Sequence, residues 1–335
     1  MVNEYILYIK NMTGVIVTET IDIVVPCFNE EEVLKIFYVE TKKILDTINN
    51  YTFHFIFVDD GSKDKTLAIM NELSNSYPNV SYLSFSRNFG KEAAMYAGLK
   101  YSSGDYVIVM DADLQHPPAL IPEMVKDMNS GYDCVAAMRT TRTNEDRLRS
   151  LFSRMFYRLS NMLTDVELVQ GAVDFRIMTR QMVNAVLDLS EVQRFSKGIF
   201  SWVGFRTKWI PYENVERTIG KTKWSFWNLF KYALDGITAF SIVPLRMVSI
   251  LGFIISVFAG VYIIITIAKA MITGIDVPGY VTTLSAILFL GGIIELSVGI
   301  LGEYIGHIYM ESKNRPIFIL KQTNLNLTDK TPRNN

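Results

Sequence analysis

Short runs of apolar residues alternate with longer amphipathic stretches through the first 140 residues of this 335-residue chain. The apolar runs are rich in Val, Ile and Phe and end at Pro, Asp or Gly, which is typical of buried strands. We predict strands at 21–26, 53–58, 82–85 and 107–110, and helices at about 31–48, 65–75 and 91–101. Strand and helix alternating at this spacing predict an α/β domain with a mostly parallel sheet and helices on both faces.

The pattern changes after this region. Residues 140–158 carry five arginines among apolar residues that recur every three to four positions, which predicts an amphipathic helix with a basic face. A solvated charged face and a site for an anion or a membrane surface are both open for this helix. Strand character returns at 171–176, and 209–215 is predicted to be the last strand of the domain. The aromatic- and lysine-rich stretch 224–232 predicts another amphipathic helix, lying among lipid headgroups.

Two long apolar stretches lie near the C-terminus. Residues 247–268 have no charged side chain, and residues 277–294 are again uncharged, with apolar character continuing to Ile305. Each is long enough to cross a hydrocarbon core of about 30 Å, so we predict two transmembrane helices joined as a hairpin. Lys and Arg precede the first stretch and follow the second, which by the positive-inside rule places both termini and the large domain in the cytoplasm. We therefore expect a multi-pass protein of the cell membrane.

The second apolar stretch contains Glu295 and the small pair Gly291-Gly292. Small residues allow helices to approach closely, so we expect these spans to pack in a homo-oligomer. An ionisable residue inside a span is a functional candidate, and pairing of Glu295 within an oligomer is the alternative.

Composition and charge narrow the class of protein further. The chain is 49% hydrophobic and 20% charged, with a net charge of -1, so we expect no nucleic-acid partner. Cys27 and Cys134 fall in predicted strand regions and are interpreted as buried thiols in a reducing compartment. Residues 1–20 lack the pattern of a secretory signal, and we expect them to be weakly ordered.

Asp111 and Asp113 follow the predicted strand 107–110, where open α/β sheets bind their ligands. Carboxylates one residue apart at this edge could hold a hard divalent cation that also contacts a diphosphate. An ordinary acidic turn after a strand is the alternative interpretation.

Four motifs occur in order along the predicted domain. They are IVVPCFNEE at 23–31, FVDDGS at 57–62, SRNFGK at 86–91 and MDADLQHPP at 110–118. Together they resemble the inverting, nucleotide-sugar-dependent glycosyltransferases of family 2, which have the GT-A fold.

The resemblance continues beyond these four motifs, through the arginine-rich helix, GAVDFR at 171–176, KTKW at 221–224 and the apolar hairpin. The full set is similar to polyprenyl-phosphate glycosyltransferases, namely bactoprenol glucosyltransferases and dolichol-phosphate mannose synthases, and it covers about residues 21–320. The predicted organisation is then a GT-A domain at 21–218, juxtamembrane helices at 219–245, two spans at 246–306 and a cytoplasmic tail at 307–335.

The resemblance implies a nucleotide diphosphate sugar as sugar donor and a divalent cation as cofactor. Asp111, Asp113 and Gln115 would hold Mg²⁺ or Mn²⁺, which neutralises the charge of the leaving diphosphate. The residues implied to bind the sugar donor with its cation are Pro26, Asn29, Glu31, Asp59, Asp60, Lys91, Asp111, Ala112, Asp113, Gln115, Arg194 and Lys221. An ordinary turn is the alternative for Asp59-Asp60, and a structural helix start is the alternative for Lys91. UDP-glucose is the first choice, with UDP-GlcNAc, UDP-galactose and GDP-mannose open.

The acceptor implied by the resemblance is a polyprenyl phosphate, held by Arg139, Arg149 and Ser153. The implied catalytic residues are Asp174 as candidate base, Asp113 and Arg149. A phosphate monoester has a second pKa near 6 and is largely dianionic at neutral pH, so it needs positioning more than deprotonation. His116 replaces the Asp that often follows Leu-Gln in this motif. It is either a neutral turn residue or a contact to the metal or the sugar.

Two other functions are weighed against this one. A processive polysaccharide synthase would carry a Gln-x-x-Arg-Trp pattern and more membrane helices, and the nearest stretch here reads QRFSK at 193–197. A non-catalytic membrane scaffold or lipid carrier would not need the carboxylates and arginines of the motifs to be intact.

Overall fold

The structure is a computed structural model that describes residues 18–140, 158, 161–162, 164, 166–213, 238, 240–273 and 279–326. Its strands are β1 (Glu19–Cys27), β2 (Tyr51–Asp59), β3 (Val80–Phe85), β4 (Tyr106–Val109), β5 (Cys134–Arg139), β6 (Ala172–Thr179), β7 (Thr207–Tyr212) and β8 (Leu320–Thr323). Its helices are α1 (Leu34–Leu45), α2 (Thr66–Ser76), α3 (Lys91–Tyr101), α4 (Ile121–Met128), α5 (Arg180–Asp188), α6 (Ser196–Trp202), α7 (Val243–Thr273) and α8 (Tyr280–Ser312).

The eight strands form one mixed sheet in the order β7-β5-β6-β4-β1-β2-β3-β8. Four of the seven neighbouring pairs are parallel, and these include the central β4-β1-β2-β3 set. The mostly parallel α/β sheet of a GT-A fold is thus confirmed. The carboxyl ends of β1, β2 and β4 meet at one edge, because parallel strands all point the same way.

Helices cover both faces of this sheet. On one face, Ile23 and Val25 of β1 join a core cluster with Phe37 of α1 and Met70 of α2. On the other face, Gly98 of α3 approaches Val24 so closely that an added Cβ would lie 2.1 Å from its Cγ1. Because successive residues of a strand point to opposite faces, α3 lies across the sheet from α1 and α2.

Large aromatic side chains fill the core beside α1. Phe37, Tyr38, Phe55 and Phe57 are all buried, and the Phe55 and Phe57 rings stack with centroids 5.7 Å apart. Burying each such side chain stabilises the fold by about 1.5–3 kcal/mol. This packing fixes β1 and β2, and so it fixes the turns that leave their carboxyl ends.

The starts of β1 and α1 are among the element boundaries that differ from the sequence-based predictions. β1 begins at Glu19, so residues 19 and 20 belong to the sheet, while residues 1–17 lie outside the described residues. α1 begins at Leu34 rather than near residue 31. The N–H groups of Glu30 and Glu31 donate to Thr66 Oγ1 and Asp64, so the chain there is held in a turn.

The strand predicted at 209–215 is present as β7, but the prediction that it is the last strand of the domain is wrong. β7 ends at Tyr212, and β8 follows the two long helices and pairs antiparallel with β3. Part of the predicted cytoplasmic tail, residues 316–326, therefore belongs to the same compact unit as the sheet.

The two long helices form a second compact unit. α7 and α8 each contain a stretch long and apolar enough to cross a membrane, at Val243–Tyr262 and Phe289–Ser312. Within this unit the Tyr304 hydroxyl donates to the Ser241 carbonyl at 2.6 Å. The amphipathic helices predicted at 140–158 and 224–232 lie almost wholly outside the described residues.

Candidate active site

One lysine joins two carboxylates from distant parts of the chain. Lys91, the first residue of α3, lies 2.7 Å from Asp111 Oδ1 and 2.6 Å from Asp174 Oδ2 through its Nζ. Asp111 follows β4 and Asp174 lies on β6, which is the antiparallel neighbour of β4. The structure thus brings three of the predicted site residues into direct contact at the exit of β4.

Burial and charge set the ionisation of this group. Burial alone would lower the pKa of Lys91, but the two carboxylates raise it well above its ordinary value. Burial alone would raise the pKa of Asp174, but Lys91, Lys197 and Arg176 hold it well below its usual range. Asp174 is therefore a carboxylate over the whole physiological pH range and a weak base.

The turn that carries Asp111 and Asp113 is tightly wound. Leu114 has a φ of +58°, a left-handed conformation that costs a branched residue energy and occurs often at functional sites. The Gln115 N–H donates to Asp113 Oδ1 at 3.1 Å, and Ala112 is buried beneath the turn. The turn thus carries two half-buried carboxylates one residue apart.

His116 is buried against the turn that carries Asp111 and Asp113. It is 5% exposed, and its ring stacks on Phe175 with centroids 5.6 Å apart. Nδ1 accepts from the Asp111 N–H at 3.4 Å, so the ring is neutral with its proton on Nε2. Burial lowers the pKa of His116, which agrees with a neutral ring. These contacts give His116 a structural role in the turn, as one of the two sequence-based interpretations stated.

The turns after β1 and β2 bind each other through predicted site residues. The Asn29 N–H donates to Ser62 Oγ, and Asn29 Oδ1 accepts from the Lys63 N–H, both at 2.9 Å. Glu31 Oε2 accepts from the Lys65 N–H at 2.9 Å. Pro26 is half-buried near the end of β1. These residues lie together at the predicted edge, with the side chains of Asn29 and Glu31 used to shape the two turns.

Asp59 and Asp60 both point into the protein. Asp59 is 1% exposed and accepts from the Ser62 N–H at 2.9 Å and the Ser84 hydroxyl at 2.7 Å. Asp60 is 3% exposed and accepts from the N–H groups of Phe89 and Gly90 at 2.6 and 2.9 Å. Burial raises the pKa of Asp60 to about 6, although these two hydrogen bonds oppose the shift. Asp60 therefore holds the segment 86–90 that leads to Lys91.

Arg139 ends β5 at the same edge. Its N–H donates to the Gly171 carbonyl at 2.9 Å, and Gly171 has a φ of +82°. A Cβ on Gly171 would lie 2.5 Å from the Arg139 carbonyl oxygen, so only glycine fits there without a shift. Arg149, Ser153 and Lys221 lie outside the described residues, and their predicted roles stay predictions.

Arg194 is engaged within the protein. Its guanidinium donates to the carbonyls of Leu189 and Val186 and lies 4.5 Å from the centroid of the Tyr96 ring. These contacts hold the segment between α5 and α6 against α3. The prediction that Arg194 binds the sugar donor stays a prediction.

Two side chains near the site were not predicted as site residues, although Arg176 ends the GAVDFR motif. Glu92, next to Lys91, accepts from both the N–H and the hydroxyl of Ser196, which fixes the start of α6. Arg176 is 3% exposed and lies 3.9 Å from the centroid of the Phe200 ring. Both act on α6 through contacts across long sequence separations, which no local pattern can reveal.

The carboxylates of the site fit a divalent cation whose remaining ligands come from the substrate and water. No group of three or more His, Cys, Asp or Glu that could hold a metal occurs within the described residues. Mg²⁺ in proteins is commonly bound by one or two carboxylates together with waters and substrate phosphates. Asp111 and Asp113, half-buried at the exit of β4, match that sparse donor set.

Comparison with known proteins identifies the family. The model of Glycosyl transferase family 2 matches residues 22–187, and that of the GtrB C-terminal hairpin matches residues 243–308. The putative glycosyltransferase CsbB of Bacillus subtilis is 48% identical, with 91% of this chain and 92% of that protein covered. The bactoprenol glucosyl transferase of Shigella phage SfII is 42% identical, with 90% and 98% covered.

A solved structure of glucosyl-3-phosphoglycerate synthase from Mycobacterium tuberculosis, in complex with Mn²⁺, uridine-diphosphate-glucose and phosphoglyceric acid, aligns with a TM-score of 0.43 at 19% identity. It covers 66% of this chain and 78% of that chain. The two curated relatives, by contrast, match nearly end to end at more than 40% identity. The chain therefore belongs to glycosyl transferase family 2 and is a glycosyltransferase with the GtrB C-terminal hairpin.

Proposed function

We propose that this enzyme transfers one hexose from a nucleotide diphosphate sugar, UDP-glucose first, to a polyprenyl phosphate with inversion at the sugar. The observation that carries the proposal is the contact of Lys91 with both Asp111 and Asp174, which gathers charged groups at the ligand-binding edge of the sheet. The names of several relatives, bactoprenol glucosyl transferases at 42% identity, support the lipid phosphate as acceptor and glucose as sugar.

The cation belongs at the exit of β4. Asp111 and Asp113, with Gln115, would hold Mg²⁺ or Mn²⁺, and the bound ion supplies positive charge to the leaving diphosphate. Lys91 Nζ lies 2.7 Å from Asp111 Oδ1. The ammonium group orients this carboxylate at the exit of β4, where the cation would bind.

The acceptor phosphate is its own nucleophile in this proposal. Because Lys91 holds the pKa of Asp174 well below its usual range, Asp174 is a poor proton acceptor at neutral pH. A phosphate monoester with a second pKa near 6 needs no base there. Asp174 and Lys91 then position the sugar and the attacking oxygen, while Arg139, Arg149 and Ser153 hold the acceptor phosphate.

The order of the elements supports a hairpin in the membrane. β7 precedes α7, β8 follows α8, and both strands belong to the same sheet. If α7 and α8 each cross the bilayer, the chain must leave and return on the same side. Together with the basic flanking residues, this supports a cytoplasmic catalytic domain with both termini on that side.

The two rival functions predict different products. A processive synthase would yield a polymer, and a scaffold or carrier would yield none. The described residues contain two helices able to span a membrane, which favours transfer to a lipid over extrusion through a channel.

Release of UDP by the purified full-length protein in detergent tests the proposal. With undecaprenyl phosphate, UDP-glucose and Mg²⁺ present, we expect release that stops when either the lipid or the ion is withheld. The Asp111→Asn variant should lose at least about 90% of this activity, because a lost metal ligand removes charge at the leaving group. Parallel reactions with UDP-GlcNAc, UDP-galactose and GDP-mannose, followed by release of UDP or, for the last, of GDP, identify the sugar donor. Release that is independent of lipid would contradict the proposed acceptor.

A further inference from the structure

Two polar atoms at the ends of neighbouring strands are buried without a partner at good hydrogen-bond geometry among the described residues. They are Nε of Arg139, which ends β5, and the hydroxyl of Tyr212, which ends β7. Tyr212 is 6% exposed. Buried polar atoms are nearly always paired, so two unpaired ones in a single place need a physical explanation.

The backbone holds these two residues side by side. Arg139 and Tyr212 are partners in the parallel register of β5 and β7. Residues paired in this way project from the same face of a sheet. The N–H and hydroxyl of Thr140 both donate to the Tyr212 carbonyl at 3.0 Å, which fixes the end of β7. The backbone therefore places the two residues next to each other on one face of the sheet.

The surroundings of Tyr212 are those of the candidate active site. Its ring meets the His116 ring edge to face, with centroids 6.4 Å apart. Burial raises the pKa of Tyr212, the charge of Arg139 and a hydrogen bond from its side chain to the hydroxyl oxygen lower it, and the charges of Asp111 and Asp113 raise it again. The hydroxyl is thus a protonated donor beside one cation, near the carboxylates proposed to hold a metal.

An unpaired buried hydroxyl alone would not indicate a site. Tyr38 also has a buried hydroxyl without a partner among the described residues, but its ring packs on Phe55 and Tyr77 in the core at 5.1 and 4.7 Å. Tyr212 differs because a guanidinium with its own unpaired N–H lies beside it. Two neighbouring donors, one of them charged, match the oxygens of a phosphate.

We propose that the Tyr212 hydroxyl and Arg139 Nε donate together to an oxygen of a substrate phosphate, which makes Tyr212 a binding residue of this enzyme. The inference rests on the proposed function and adds a residue to it. The phosphate can belong to the polyprenyl monoester or to the diphosphate of the sugar donor, and the two sources are separable by experiment.

Tyr212→Phe is the sharpest variant, because it removes only the hydroxyl and keeps the ring against His116. Tyr38→Phe is its matched control, since it removes a buried, unpaired hydroxyl far along the chain from the site residues. For Tyr212→Phe we expect a rise of about tenfold in KM for one substrate with kcat within about threefold, as for a lost hydrogen bond to a charged group. Tyr38→Phe should leave both KM values unchanged.

Equilibrium binding to the full-length protein in detergent gives a reading that does not need turnover. Dissociation constants are measured for undecaprenyl phosphate and, separately, for UDP with Mg²⁺. A weaker Kd for the lipid assigns the contact to the acceptor, and a weaker Kd for UDP assigns it to the sugar donor. Arg139→Lys, which keeps the charge but lacks Nε, should weaken the same ligand, and the double variant should lose less than the sum of the two effects.

Unchanged Kd values for both ligands in Tyr212→Phe would overturn the inference. If Tyr212→Phe does not fold, unchanged Kd values in Arg139→Lys would overturn it instead. Failure of the proposed function is distinguishable from this result. It would appear as absent turnover in the wild-type protein, whereas failure of the inference would appear as unchanged Kd values in the variants.

Discussion

Lys91 determines how the carboxylates of the site behave. Its ammonium contacts Asp111 and Asp174, residues that are 20 and 83 positions away along the chain. Motif order indicated that each residue belongs to the site, but no local pattern indicates that they touch. The contact forms because β4 and β6 are antiparallel neighbours and α3 begins at their shared edge.

Asp174→Asn tests whether this carboxylate acts by position or as a base. We expect kcat to fall about 10–100-fold, equivalent to about 1.4–2.7 kcal/mol, through lost orientation. The acidic limb of the pH–rate profile, set by the acceptor phosphate near pH 6, should remain. The exposed Asp188→Asn change on α5 is the control, with wild-type kinetics expected. A profile that loses its acidic limb in Asp174→Asn would instead make Asp174 the base.

Asp60 gives a prediction for stability as a function of pH. Burial raises its pKa to about 6 from an ordinary 3.8, so between these values the folded protein binds more protons than the unfolded chain. Its contribution to stability is then present at low pH and lost as the pH rises through 6. We expect the unfolding temperature of the wild type, relative to Asp60→Asn, to fall by a few degrees from pH 4.5 to 6.5. Parallel curves for the two proteins would show that Asp60 is not perturbed.

The direction of Asp59 and Asp60 could not be read from the sequence. The FVDDGS motif correctly placed both residues at the end of β2, but a strand's register decides whether a side chain points inward. Both carboxylates turn inward and accept hydrogen bonds from neighbouring turns. Arg194 shows the same limit, since charge alone does not reveal that its partners are two carbonyl groups.

At the scale of elements, β-branched and aromatic runs located six of the eight strands to within a few residues. These strands can be predicted because their buried residues form continuous apolar runs in the sequence. β8, with the sequence LKQT, is short and half polar, and no pattern indicates it. It exists because β3 offers an open edge, and residues as distant as Tyr82 and Asn324 hydrogen-bond there at 2.8 Å.

Phe318 anchors the segment that leads into β8. Its ring stacks on Phe85 with centroids 5.1 Å apart, and the next residue, Ile319, accepts a hydrogen bond from the Ser86 N–H. Segment 86–90 leads directly to Lys91. The chain that returns from α8 therefore supports the segment that carries the central cation of the site.

Phe318→Ala should loosen this edge of the sheet. We expect a loss of about 1–3 kcal/mol of stability and faster amide hydrogen exchange across 80–90, because the stacked ring and its buried area are removed. Ile319→Ala is the control, since Ile319 is 51% exposed and its carbonyl bond to Ser86 is kept. Equal exchange in the two variants would mean that Phe318 does not hold the edge.

At the scale of the whole molecule, the two long helices lie between β7 and β8 along the chain, yet both strands belong to the same sheet. The sequence predicted these helices because a run of about 20 uncharged, apolar residues is typical of a helix that crosses a membrane. The arginine-rich stretch 140–158, predicted to hold the acceptor phosphate, lies almost wholly outside the described residues. Its role, like the homo-oligomer expected from Gly291-Gly292 and Glu295, stays a prediction.

Cysteine labelling tests the proposed topology. Cys27 and Cys134 are buried, at 2% and 0% exposure, so they give little background. Gly279→Cys, between the two helices, should react with an impermeant maleimide in intact cells, because its backbone is extended and an added Cβ meets no atom within 4 Å. Lys321→Cys, exposed on β8, should react only after lysis. Labelling of Lys321→Cys in intact cells would contradict the proposed orientation and place β8 outside the cytoplasm.

The mass of the lipid product tests the central claim most directly. After incubation of the full-length protein with undecaprenyl phosphate, UDP-glucose and Mg²⁺, we predict a lipid heavier by one hexose residue, formed in step with UDP and absent in Asp111→Asn. A ladder of added hexoses, or an unchanged lipid despite UDP release, would contradict single transfer to polyprenyl phosphate.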